Sequence, residues 1–196
     1  MPSELARYPK RLVTYVISPF EASILGFFRQ GRFSSYDLVK VFRDNSFYWS
    51  GSPGAVYSAV RRLETAGLVY ARSSTKAKLY GVTDAGEEAL LEFCRSPVPS
   101  QQIIVDPIAL RVKLRGSVYL EPKERQTFYG KQLDQLEGAI HFIKSKQIGL
   151  EKDSMSYRLA DLAIEQLALE RCFLERLMTD IKTRAITCST KKSSGR

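Results

Sequence analysis

The chain has 196 residues and a formal net charge of +9, with 44% hydrophobic, 26% charged and 11% aromatic residues. This composition excludes the disordered, collagen-like and disulfide-scaffold classes, and the length allows one substantial domain or two small ones. No apolar run approaches the roughly 20 residues of a membrane span, and the start, MPSELARYPKRLVTYV, lacks a signal core, so a soluble, cytoplasmic protein with no membrane partner is expected. Cys94, Cys172 and Cys188 lie in no CxxC or metal-ligand spacing, which predicts free thiols and neither a metal site nor a cofactor. The single histidine, His141, leaves no Ser/His/Asp or two-His arrangement. With no Walker-type phosphate loop either, an enzyme is not expected.

The positive charge is concentrated in one block. Residues 29–83 hold nine Lys or Arg against three Asp or Glu, whereas 84–106 hold one basic residue against five acidic ones. Residues 107–181 are nearly balanced, twelve to eleven, and 182–196 carry five basic residues and no acid. A solvated face explains such clusters as simply as a polyanionic partner does, so placement decides between them.

In chain order, Ser18-Pro19-Phe20-Glu21 reads as a capping box with proline at the first helical position. The helix it opens carries Ile24, Leu25, Phe27 and Phe28, and Gly31 stands where a left-handed residue would end it. Ser34 or Ser35 caps a second, amphipathic helix with Leu38, Val41 and Phe42 on one side. Ser52-Pro53 opens a third, running to Gly67. At about 100° per residue, Val56, Val60 and Leu63 form its core stripe, Gly54, Ser58, Arg61 and Thr65 turn outward, and Ala55, Tyr57 and Arg62 flank them. Residues 68–72 and 78–82 read as a hairpin with a polar tip at 73–77, and Thr83-Asp84 caps a fourth helix. Three helices, a basic hairpin and a helix make the winged helix-turn-helix plan.

Ser96-Pro97-Val98-Pro99-Ser100 reads as a linker. The chain is therefore expected to divide into a winged helix domain at 1–96, a linker at 97–105, a helical domain at 106–185 and a basic, disordered tail at 186–196. The fold class is mainly α with a small β-hairpin. In the second half, Asp106-Pro107 opens a short helix to about Arg115, Pro122 a long one to about Gly149, and Asp153 or Ser154 caps a last one to about Arg184. Tyr129, Leu133, Leu136, Ile140 and Ile143 on the long helix follow heptad spacing, as do Ala160, Ala163, Leu167, Leu174, Leu177 and Ile181 on the last. Leu159, Leu162, Leu169 and Phe173 lie off that stripe and add more apolar surface than one intrachain neighbour covers. A homodimer interface built on Tyr129, Leu133, Leu136, Ile140, Leu167, Phe173, Leu174 and Leu177 is expected, with a monomeric helical hairpin as the alternative.

The stretch Asn45 to Val69, NSFYWSGSPGAVYSAVRRLETAGLV, resembles the core motif of the PadR family of bacterial transcriptional regulators. It has the aromatic-Trp approach, Ser-Pro-Gly, a hydrophobic-Tyr pair, Arg-Arg-Leu-Glu and Gly-Leu-Val, while Tyr36-Asp37-Leu38 and Val82-Thr83-Asp84-Ala85-Gly86 look like the flanking signatures. The resemblance covers about residues 15–95. The second half is similar in layout to the longer helical extension of the virulence-gene activator branch. The chain departs from the pattern at Ser34-Ser35, where His-Gly is usual, and at Gly81, where a basic residue is common. The resemblance implies a homodimer that binds a pseudo-palindromic duplex DNA operator as a repressor, with an activator as the alternative.

On that reading the DNA-contacting residues are Tyr36, Ser52, Gly54, Ala55, Tyr57, Ser58, Arg61, Arg72, Lys76 and Lys78. Small residues at the start of the third helix allow close approach to the major groove, and hydroxyls meet phosphates or base edges. Arg61 reads either as a base contact or as a phosphate contact, and Tyr57 either as a phosphate contact or as packing beneath the helix. Arg72, Lys76 and Lys78 touch the backbone or minor groove, or form a solvated turn. Some relatives bind phenolic acids or planar drugs, and a cleft between the domains lined by Tyr15, Phe28 and Trp49 is the candidate site for a small aromatic effector. The alternatives are a constitutive binder in which these aromatics are core, and a protein-interaction module, which Arg61 and Arg62 oppose.

Overall fold

In the computed structural model the described residues are 15–45, 52–73 and 78–193, the last twelve by backbone alone. The chain forms two compact units, Met1–Phe93 and Cys94–Arg196. Among the described residues no helix is long and apolar enough to cross a membrane.

The first unit contains α1 (Pro19–Gln30), β1 (Phe33–Ser34), α2 (Ser35–Asn45), α3 (Pro53–Thr65), β2 (Val69–Ser73), β3 (Lys78–Val82) and most of α4 (Asp84–Arg95). Each helix start follows its local code. The Ser18 hydroxyl accepts from the Glu21 amide at 3.3 Å while the Glu21 carboxylate accepts from the Ser18 amide at 2.9 Å. Ser34 rather than Ser35 caps α2, its hydroxyl accepting from the Asp37 amide at 3.1 Å and the Asp37 carboxylate accepting in return from the Ser34 amide at 2.9 Å. Gly31 has φ 167°, an extended residue and not the expected left-handed stop. The chain runs straight from it into β1, which pairs antiparallel with β3 and makes a three-stranded sheet ordered β1-β3-β2 where only a hairpin was expected. Two residues carry no period-2 signal, so only tertiary pairing reveals such a strand.

The apolar faces of α1, α2 and α3 meet over this sheet. Ile24, Leu25, Leu38, Val56 and Leu63 are fully buried, and the Phe42 ring sits between Phe20 and Phe27 at centroid distances of 5.2 and 5.4 Å. Tyr70 pairs across the strands with Gly81, and any Cβ at Gly81 would come within 2.8 Å of the Tyr70 ring. That close approach accounts for a glycine where a basic residue is common.

At the end of α3 the chain turns through Gly67, the only residue with positive φ (73°) among those described. The Leu68 amide donates back to the Leu63 carbonyl at 2.9 Å and the Gly67 amide to Glu64 at 3.0 Å, a Schellman end. Thr83 then stitches the next helix to this corner. Its hydroxyl donates to the Gly67 carbonyl at 2.8 Å and accepts from the Gly86 amide at 3.0 Å, and its amide donates to the Leu68 carbonyl at 3.1 Å.

The second unit contains α5 (Ser100–Val105), α6 (Pro107–Gly116), a 3-10 turn at Ser117–Tyr119, α7 (Pro122–Gln147) and α8 (Met155–Ser193). Residues 97–105, expected as a linker, are held against α7. The Gln132 side chain, fully buried, accepts from the Val98 amide at 2.8 Å, and the Gln135 side chain accepts from the Ser100 amide at 2.9 Å. Lys113, also buried, donates to the Ser96 carbonyl at 2.7 Å. The prolines stop α4, but these side chains satisfy the backbone that they free. Arg125 does the same beyond α6, donating to the carbonyls of Ser117, Val118 and Leu120. The α8 backbone continues to Ser193, into the expected tail. Residues 182–193 contain no proline or glycine to break it.

α7 and α8 lie side by side. Tyr129 and Leu136 on α7 and Leu167 and Leu174 on α8, expected at a dimer interface, are buried within this unit, while Leu133, Ile140 and Leu177 are half-buried. The heptad stripes thus find an intrachain partner, because a tight helical hairpin brings them together without a second chain. Cys94, buried, and Cys172, exposed, form no disulfide.

The Gly67–Leu68 corner supplies a test. A Cβ at Gly86 would overlap the Leu68 carbonyl, whereas a Cβ at Gly130 meets nothing within 4 Å. Gly86→Ala is therefore expected to cost about 1–3 kcal/mol in urea denaturation, and Gly130→Ala, inside α7, to be neutral or stabilising.

Candidate nucleic-acid interface

α3 has one buried side and one exposed side. Val56, Ala59, Val60 and Leu63 are buried, and Gly54, Ser58, Arg61 and Thr65 are exposed as their phase requires. Ser52 is exposed too, with its hydroxyl accepting from the Ala55 amide at 3.3 Å, so its remaining hydrogen-bonding capacity faces solvent. Ala55 is half-buried. Tyr57 is 48% exposed and Tyr36 on α2 62% exposed, so the Tyr57 ring lies on the outer flank of α3 and not beneath the helix. Lys40 stands over the Tyr36 ring at 5.9 Å.

Ion pairs thin out the positive block. Arg29 pairs with Glu87 at 2.8 Å, Arg43 with Asp44 at 2.9 Å, Arg62 with Glu21 at 2.9 Å and Lys78 with Glu64 at 2.8 Å. Lys78 also lies 5.1 Å from the Tyr80 ring centroid. Lys78, expected at the DNA backbone or minor groove or in a solvated turn, is thus engaged by Glu64 of α3. Among the described residues, Arg32, Arg61 and Arg72 keep side-chain charges without an acidic partner, while the charge of Lys40 acts on Asp37 and Asp44. Lys76 and the hairpin tip lie outside the described residues, as do Phe47, Tyr48 and Trp49.

Two of the three candidate effector residues are otherwise occupied. Phe28 is buried core, tilted against Tyr80 at a centroid distance of 5.8 Å. The Tyr15 phenol donates to the Glu21 carboxylate at 2.8 Å. Trp49 lies outside the described residues.

That carboxylate was legible only as part of the capping box. Its side chain is 4% exposed, and besides Ser18 and Tyr15 it accepts from the Arg62 guanidinium, 41 residues along the chain. Burial acts to raise the Glu21 carboxyl. The Ser18 amide, the Tyr15 phenol, Arg62 and the Ser18 hydroxyl together outweigh it and hold the group below the ordinary carboxylate range. Burial, together with the adjacent Glu21 charge, pushes the Tyr15 phenol up.

A carboxylate whose pKa is lowered by folding contributes stability above its unfolded pKa and loses it as pH falls through its folded one. Glu21→Gln is therefore expected to lower stability by about 1–3 kcal/mol at neutral pH. The gap from the wild type should narrow in denaturation curves taken below about pH 4. A gap independent of pH would mean that the charge on Glu21 plays no part.

Residues 24–92 match the model of the transcriptional regulator PadR-like family. The negative transcriptional regulator PadR of Bacillus subtilis (strain 168) is 25% identical over 95 residues, 45% of this chain and 52% of that protein, so the match spans about half of the relative's length. The crystal structure of Bacillus subtilis PadR in complex with operator DNA is similar at a TM-score of 0.39 and 21% identity, covering 84% of this chain and 99% of that one. The same protein in complex with p-coumaric acid is similar at a TM-score of 0.38 and 21% identity, covering 84% and 96%. The capped α3, the Gly67 turn and the Thr83–Gly86 helix start all fall within the stretch of this chain, residues 24–92, that matches the PadR-like family of transcriptional regulators.

Proposed function

We propose that this chain is a sequence-specific, DNA-binding transcriptional repressor that acts as a homodimer on a pseudo-palindromic duplex site. The observation that carries this reading is the exposed side of α3, where small residues at the helix start and the unpaired Arg61 share one stripe of a PadR-like domain. A small stripe lets the helix enter a major groove, and a guanidinium with no acidic partner is free to bond guanine. The name of the Bacillus subtilis relative, a negative transcriptional regulator, favours repression over activation. A small aromatic effector stays part of the reading, as the Bacillus subtilis relative forms a complex with p-coumaric acid, while Phe28, which is core, drops out of its candidate site.

The pairing surface for a second chain is the outer stripe of α8. Met155, Leu159, Leu162, Leu169 and Phe173 recur there at heptad-like spacing and stay exposed, Leu169 by 71%. Leu167 and Leu174 on the opposite stripe are core. Phe173 alone of the residues expected at the interface lies on the exposed side.

Selection of bound duplexes from random-sequence DNA tests the reading as a whole. It should return a palindrome with half-site centres one or two helical turns apart, about 34 Å per turn. Recovery of no duplex at low salt would remove the reading. On the selected site, Arg61→Ala is expected to lose about 1–3 kcal/mol and relax preference at one base position, whereas Arg72→Ala lowers the salt slope by about one without changing preference. Equal losses for Arg61→Ala on selected and random DNA would assign Arg61 to the phosphate backbone.

The two stripes of α8 separate by mutation. Leu169→Asp should give a folded monomer in sedimentation with weakened operator binding, because two half-sites are then no longer coupled. Leu174→Ala should instead destabilise the helical unit by about 2–5 kcal/mol. A Leu169→Asp chain that stays dimeric would place the interface elsewhere.

A further inference from the structure

The Tyr15–Glu21–Arg62 cluster ties together three parts of the first unit. The segment before α1 contributes the Tyr15 phenol, the first turn of α1 contributes Ser18 and Glu21, and the last turns of α3 contribute Arg62. A carboxylate buried to 4% exposure is costly unless its hydrogen bonds are made. Here they are: Ser18 amide 2.9 Å, Ser18 hydroxyl 2.9 Å, Tyr15 phenol 2.8 Å and Arg62 Nε 2.9 Å. The capping box alone would use Glu21 through Ser18. The additional bond to Arg62 fixes α3 relative to α1.

Arg62 differs from the other paired cations of this unit in the environment of its partner. Its side chain is 54% exposed while Glu21 is almost fully enclosed, whereas the acids paired with Arg29, Arg43 and Lys78 are 31–53% exposed. The carboxylate grips Nε from the protein side, and a guanidinium carries further N–H donors in a fixed planar fork. On the helical wheel Arg62 flanks the outward stripe of Gly54, Ser58 and Arg61. An anchored, half-exposed fork beside a groove-facing stripe has its orientation settled before any ligand arrives, which lowers the entropy cost of a contact.

We propose that Glu21 is a positioning residue for DNA contact by α3, acting through Arg62, whose outer guanidinium edge takes a backbone phosphate. This rests on the DNA-binding reading above. It also makes a prediction of opposite sign to simple electrostatics. Replacing an acid with a neutral residue on a DNA-binding unit adds one positive charge and should strengthen binding to a polyanion. If Glu21 works by orientation, its loss weakens binding despite the gain in charge.

The test uses the full chain and a duplex selected by the wild type from random-sequence DNA, at a temperature where denaturation curves show every variant folded. Glu21→Gln is expected to bind about tenfold more weakly than the wild type, the order of one charge-assisted hydrogen bond. Arg62→Gln is expected to lose a similar factor and to lower the salt slope by about one. The double variant should bind no worse than Arg62→Gln, since both substitutions break one unit. Should Glu21→Gln not fold, Arg62→Gln decides through its salt slope, which a merely structural role would leave unchanged. A Glu21→Gln chain that binds as tightly as the wild type or tighter, or an Arg62→Gln chain with the wild-type slope, overturns the inference. A wild-type chain that selects no duplex removes the DNA-binding reading itself.

Discussion

The corner at Gly67–Leu68 fixes the geometry of the first unit. A left-handed residue is needed there to end α3 and send the chain directly into β2, and glycine adopts that conformation without a Cβ clash. The two carbonyls of the corner then accept from Thr83, and α4 starts so close to the Leu68 carbonyl that Gly86 has no room for a side chain. Four elements therefore converge on a few backbone atoms. The exposed stripe of α3 and the cations of the hairpin hold their relative positions because this corner admits little variation.

Charge is organised around the same helix by selective pairing. Arg62 and Glu64 lie two residues apart on α3 and so reach in different directions, one to α1 and one to the hairpin, and the helix is held by ion pairs on two sides. The Lys78–Glu64 pair is substantially exposed and worth little to stability on its own. The enclosed Glu21 pair is different, because breaking it strands a charge away from water. Among the described residues of the first unit the charge left for a polyanion is that of the unpaired Arg32, Arg61 and Arg72 and, on the proposal above, the outer edge of Arg62, a smaller set than the composition suggests.

In the helical unit the governing constraint is that backbone freed by proline must still be satisfied. Gln132, Gln135, Lys113 and Arg125 all spend side-chain donors or acceptors on main-chain groups of neighbouring segments. That turns what composition marks as a connector into packed structure. α8 meets two separate demands, one apolar stripe closing the intrachain hairpin and another left open to solvent. Stripes of this kind have the same spacing, so periodicity alone does not tell core from interface.

The sequence by itself determined the start of every helix but α5, the α3 stripe and the order of the elements apart from β1 and α5. Caps reach two or three residues along, as at Asp106 and at Ser18, Ser34 and Ser52, and helical phase follows from backbone geometry, so both are written locally. It also carried the family motif from Asn45 to Val69, because the residues of that motif specify one cap and one turn. Only the tertiary structure decided which strand β1 joins, that residues 97–105 lie against α7, that Phe28 is core, and which α8 stripe is enclosed. The Glu21–Arg62 bond belongs with these: its partners are 41 residues apart, and no periodicity or cap links them. Each of these outcomes depends on which distant surface encloses a group and removes it from water, and that is a property of the packed chain.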